Sequence, residues 1–140
     1  MDMGLDNGIN FKILDKEKFG EIPAWIKREE WEEKYGFDYE MLYWRKCWNV
    51  RQEILLYLGS SEDEYEWNLD LNDLKNIFKI LKDMYKQGPW SADYECGMTI
   101  WSWDDIKYNY PNRLKYAKRV AKWLATKPKD SYEIKFYDSY

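Results

Sequence analysis

The sequence contains no histidine. This removes the usual general base near neutral pH, Ser-His and Cys-His nucleophile activation, and imidazole metal ligation. Its two cysteines, Cys47 and Cys96, are too few for a disulfide framework or a Cys-based zinc site, and fit buried thiols in a reducing cytoplasm. There is no run of eighteen apolar residues to span a bilayer, and no basic-then-apolar leader to direct secretion. Met3-Gly4 fails as a myristoylation signal because Gly8 stands where serine or threonine is needed. Neither a G-x-x-x-x-G-K-S/T loop nor a G-x-G-x-x-G turn occurs, so no phosphate cradle is encoded. Asp104-Asp105 and the acids between residues 62 and 73 lack the spacing of a calcium loop, and no carboxylate pair carries a glycosidase assignment. These absences point to a binding or inhibitor protein rather than an enzyme, with no metal and no cofactor.

What is present fits a globular chain. Its 140 residues suit one domain covering 1–140, with 45 % apolar and 34 % charged residues. Nine Trp, thirteen Tyr and five Phe exceed what a core of this size encloses, and exposed Trp and Tyr suit recognition. A net charge of −4 argues against direct, sequence-specific nucleic-acid binding. A homo-oligomer is left open.

Along the chain, Asp6-Asn7-Gly8 predicts a turn, followed by a strand with Ile9, Phe11 and Ile13 inward. Lys16 to Gly20 read as a polar connection, and Pro23 as the first residue of a helix reaching Tyr35. Asp38 is the expected N-cap of a central helix running to about Leu58 before Gly59. Residues 62–73 hold six acids and no base, a solvated acidic loop with a short strand at Tyr65–Leu69. Asp70 or Asn72 then caps a helix to about Gln87, with Leu74, Ile77, Phe78, Leu81 and Tyr85 as its core stripe. Met98–Trp101 reads as a strand, and Ser102 as the start of a capping box. The helix that follows buries Ile106, Tyr110, Leu114, Ala117, Ala121 and Leu124, with Pro111 kinking or restarting it. From Trp103 to Asp130 there are eight bases against three acids, a face that suits solvent, the acidic loop or an anionic ligand. Tyr132–Tyr137 alternates again as a closing strand beside the first. The expected class is α+β, with about three main helices packed on a small sheet of N-terminal, C-terminal and short middle strands.

Functional suspicion falls on Tyr43-Trp44-Arg45-Lys46-Cys47-Trp48-Asn49-Val50-Arg51, with three aromatics and three cations in nine residues. On a continuous helix at about 100° per residue, Arg51 falls inside an apolar arc with Trp44 and Trp48, and Arg45 lies at its edge. A guanidinium there must snorkel or meet an anion. That anion is either an internal carboxylate, Asp6 or Asp138, or the phosphate of a ligand whose ring stacks on Trp44 or Trp48. The candidate ligand-binding residues are therefore Trp44, Arg45, Trp48 and Arg51.

Gly4-Leu5-Asp6, Tyr43-Trp44-Arg45-Lys46 and a helix followed by a Tyr/Phe-rich tail resemble a family of small phage-encoded proteins. Those sequences open Met-Gly-Leu-Asp and carry Tyr-Trp-Arg-Lys, and most of them have no assigned role. After Lys46 they tend to read Ala-Asn-Ala-Ile-His, whereas this chain reads Cys47-Trp48-Asn49-Val50-Arg51. The resemblance implies a phage origin, action in the cytoplasm of an infected bacterium, and inhibition of host defence. Two partners follow: a nucleotide-type immune signalling molecule sequestered by Trp44, Arg45, Trp48 and Arg51, or a host defence protein such as a CRISPR nuclease met by the acidic loop.

Overall fold

The computed structural model describes residues 6–27, 38–45, 48–59, 66–87 and 110–139. Ile9, Phe11 and Ile13 do point inward from a strand, β1, but it runs over Asp6–Ile13 and takes in the expected turn. Two side chains account for the difference. Asn7 is buried and donates through Nδ2 to the Asp138 carboxylate across the sheet. Gly8 leaves room for the ring of Tyr137, its ladder partner. A β-carbon on Gly8 would lie 2.5 Å from Tyr137 Cε1. Gly8→Ala is therefore expected to destabilise by about 1–3 kcal/mol. In a Tyr137→Ala background the same change should cost less, a non-additivity that urea titration of the four variants will measure.

Asp15 accepts a hydrogen bond from the Lys18 amide at 3.2 Å and caps a one-turn helix, α1 (Lys16–Phe19), where a polar connection was expected. Its Phe19 is buried, and Gly20 closes it at a φ of 84°. Pro23 begins a turn, its carbonyl accepting from Ile26 N, and not a helix. Residues 28–35 of that expected helix lie outside the described residues. Strand β2 covers Asp38–Arg45, helix α2 Trp48–Leu58, and strand β3 Glu66–Leu69. Helix α3 covers Leu71–Gln87, helix α4 Tyr110–Leu124, and strand β4 Tyr132–Ser139 after a 3-10 turn at Lys129–Ser131. Met98–Trp101, the Ser102 capping box and Ile106 lie outside the described residues.

The four strands are all antiparallel, in the order β2-β1-β4-β3. The described residues thus form an α+β fold with three longer helices and one sheet. β4 alternates as expected, with Tyr132, Ile134, Phe136 and Asp138 inward, and β3 turns Trp67 and Leu69 the same way. α3 begins with a reciprocal cap. Asp70 Oδ1 accepts from Asp73 N at 2.7 Å, and Asp73 Oδ2 accepts from Asp70 N at 3.0 Å. Its expected stripe of Leu74, Ile77, Phe78, Leu81 and Tyr85 is buried. α4 buries Leu114, Ala117, Val120 and Leu124, with Pro111 in its first turn, where a missing N–H costs nothing. α4 packs on β2 and α3, and α3 on α2 and β3.

No aromatic side chain is exposed among the described ones. Among the described residues Trp44 and Trp67 are buried, and Trp25 and Trp123 are half-buried. Phe11, Phe19 and Trp123 form one edge-to-face and stacked cluster.

At the surface, Lys18 Nζ lies 2.7 Å from Asp130 Oδ2. The hydrogen bond and charge of Lys18 hold the Asp130 carboxyl below its ordinary pKa. A carboxylate depressed in the folded state stabilises above its unfolded pKa, and this is lost as pH falls through the folded one. Asp130→Asn should therefore shift the melting temperature only on the neutral side of that acid transition, and converge with the parent below it.

Candidate binding site

The expected helix from Asp38 to Leu58 is two elements, a strand and a helix. Trp44 and Arg45 belong to β2, whereas Trp48 and Arg51 belong to α2, so they do not share one helical face. The physical reason is a β-bulge. The β1–β2 register slips between Ile9 and Asn10, with Ile9 opposite Leu42 and Asn10 opposite Glu40. Met41 is the extra residue, and the slip lets Tyr39, Met41, Leu42 and Trp44 all be buried from one strand. Without the bulge in view, that spacing imitates a helix.

Trp44 is 1 % exposed, and its Nε1 lies 3.4 Å from the Tyr85 hydroxyl of α3. Arg51 is buried, and its Nε donates to Asp138 Oδ2 at 2.7 Å, with side-chain exposures of 6 % and 0 % for the pair. The other Asp138 oxygen accepts from Asn7 Nδ2, which also approaches the Tyr137 carbonyl at 3.4 Å. The guanidinium thus meets a carboxylate of β4, 87 residues away in sequence. This network ties α2 to the two central strands. The backbone of Asp6 pairs with Arg45 on one side and Ser139 on the other, while the side chains of Asp6, Arg45 and Trp48 lie outside the described ones.

The acidic segment is likewise partly absorbed. Glu66 accepts from Lys135 at 3.0 Å. Asp70 and Asp73 form the α3 cap, and Asp73 also accepts from the Tyr57 hydroxyl at 3.0 Å. Glu62, Asp63 and Glu64 lie outside the described residues.

A second feature was only half visible in the sequence. α3 and α4 enclose an open groove of about 870 Å³. Its floor is Leu71, Leu74 and Phe78 from α3 with Ala121 and Ala125 from the α4 side. Lys75, Lys79 and Lys82 line one wall, and Lys115, Lys118, Arg119 and Lys122 the other. Both walls follow the i, i+3/i+4, i+7 spacing of a helix ridge. All seven cations are exposed, and no acid lines the groove among the described residues. The six lysines make no salt bridge to a described residue. Arg119 is held by its guanidinium 3.9 Å over the Trp25 ring. The sequence signal was the basic excess after Trp103, but the matching ridge lies on a helix more than thirty residues earlier.

Chemically, the groove offers apolar area and convergent positive charge. Among the described residues no group of three or more His, Cys, Asp or Glu is placed to hold a metal ion, and no helix is long and apolar enough to cross a membrane. No protein-family model, curated protein or solved structure matches the chain.

Proposed function

We propose that this protein acts by docking on another protein and inhibiting it, with the α3–α4 groove as its recognition surface. One observation carries the reading: seven exposed cations in two ridges flank an apolar floor, with no acid among them. Seven like charges repel across a gap of this kind, and among the described residues no carboxylate pairs with the six lysines. The absence of histidine supports binding over catalysis. The resemblance to small phage proteins supplies the setting, a host defence protein such as a nuclease in an infected bacterium.

The alternative, a trap for a nucleotide-type signal, drew on Trp44 and Arg51 offering a stacking ring and a phosphate clamp on one open face. Trp44 is packed in the core, and Arg51 is held by Asp138, so these two side chains favour it less than the groove favours a protein partner.

The test is protection of a defence-sensitive phage in a host that carries a nuclease-based defence. Expression of the parent is expected to raise plaque numbers by about tenfold or more, and Lys79→Glu/Lys118→Glu to abolish that gain. Circular dichroism and melting should show the variant folded, because substitutions of exposed lysines cost within about 0.5 kcal/mol. Cyclic nucleotides and ADP-ribose derivatives are expected to leave the melting temperature unmoved. Saturable stabilisation by one of them would favour the nucleotide reading instead.

A further inference from the structure

The groove has a length, a polarity and a charge, and each narrows what fits it. Lys75 to Lys82 and Lys115 to Lys122 each span about 10 Å at 1.5 Å per residue, or two helical turns. The floor between them is built from Leu71, Leu74, Phe78 and two alanines, the alanines adding little bulk. A nucleotide base laid on that floor would find no directed polar group for its donors and acceptors, and burying them unpaired is costly. Phosphates alone would use the rim and waste the floor. They are also gripped best by arginine forks or backbone amides, whereas six of the seven rim cations are lysines. Lysine stems extend an apolar wall upward and leave the ammonium at the lip. That profile matches the cross-section of an amphipathic helix, apolar below and acidic at both flanks.

Resting on the reading of the groove as a protein-docking surface, we propose that its occupant is an acidic amphipathic helix of the partner. It carries apolar residues at i, i+3 or i+4 and i+7, with Asp or Glu on either side of that stripe. The mode is helix-in-groove recognition, in which Leu71, the two alanines and the lysine stems supply burial over the already buried Leu74 and Phe78, and the two lysine ridges fix register and orientation. Apart from the seven groove cations the chain holds 15 bases (22 less 7) against 26 acids, so the rest of the protein is net acidic and disfavours long polyanions. Occupation also removes the repulsion between the ridges, so the partner helix stabilises the protein it binds.

The experiment uses the full chain and three fluorescein-labelled probes. One is a fifteen-residue acidic peptide with leucines on one helical face. The second has the same composition scrambled so that the leucines are dispersed, and the third is poly-glutamate of equal charge. Anisotropy is expected to show saturable binding of the amphipathic peptide, about tenfold or more tighter than either control. Lys79→Glu/Lys118→Glu should abolish it, and Lys79→Arg/Lys118→Arg should keep it. Equal binding of all three probes, or no binding of the first, would overturn the proposal. So would tighter binding of a fifteen-nucleotide single strand or of phosphatidylglycerol vesicles. Self-association on a sizing column at low salt, lost in the glutamate variant and unaffected by the peptide, would assign the groove to a second copy instead. The plaque assay separates the two levels. If protection still depends on Lys79 and Lys118 while the peptide fails, the inhibitor reading stands without the acidic helix. If the peptide binds while the parent protects nothing, the groove chemistry stands and the inhibitor reading falls.

Discussion

Arg51→Ala is expected to cost about 3–5 kcal/mol, the range for removing one partner of a buried ion pair. The loss exceeds that of a hydrogen bond because Asp138, with a side chain 0 % exposed, would keep its charge in a dry site where, among the described residues, only the Asn7 amide meets it. Against a total stability of roughly 5–15 kcal/mol for an ordinary domain, this leaves the variant near its unfolding threshold. Asp138→Ala should cost a similar amount by stranding the guanidinium. Arg51→Met/Asp138→Leu should be much less damaging than the two alanine losses combined, since hydrophobic replacement of a buried pair is often close to neutral. Recovery will be partial because Asn7 Nδ2 loses its carboxylate acceptor, a penalty of about 1–3 kcal/mol. Urea midpoints for the variants measure all of these effects. A loss below about 1 kcal/mol for Arg51→Ala would mean that the pair is not the tie it is taken to be, since that is the range of exposed pairs.

The second large effect is expected at Trp44. Truncation to alanine should cost about 3–5 kcal/mol, since it empties one of the largest fully buried volumes in the core. Trp44→Phe keeps most of the packing and gives up the contact between Nε1 and Tyr85, so its loss should be much smaller, with about 0.5–1.5 kcal/mol from the hydrogen bond. These values separate a core tryptophan from a ligand-stacking one, because removing an exposed ring usually changes stability by less than about 0.5 kcal/mol. A stable Trp44→Ala protein with altered binding would restore the ring to a recognition role.

How far the fold was readable from the chain follows from the range of the interactions. β1, β4 and α3 were legible because their burial repeats every two or three to four residues, a pattern contained within each segment. β2 was not, because its alternation is interrupted by the bulge opposite Ile9 and Asn10, which belongs to the pairing and not to the strand. Asn7-Gly8 reads as a turn by local chemistry, yet here the amide serves a carboxylate across the sheet and the glycine makes room for a ring. For Arg51 the sequence could state the need for an anion and name two carboxylates, but only the fold brings Asp138 of β4 to it. The groove was half legible for the same reason: each lysine ridge is a local pattern, and their convergence is a property of helix packing.

The sheet order has one more consequence, for the making of the protein. Its two middle strands come from residues 6–13 and 132–139, so β1 leaves the ribosome long before the strand that completes it. Helices α3 and α4 can form early from local contacts, but β1 and β2 have only each other until β4 arrives, and a lone hairpin is marginal in water. Assembly of the core should therefore wait until residues 132–139 have been made, and it should be slow for the chain's size, because closing so long a loop precedes any reward from the contacts it brings. During that interval the apolar faces of β1 and β2 lie uncovered. Nascent chains stalled before residue 132 are the species expected to recruit chaperones or aggregate.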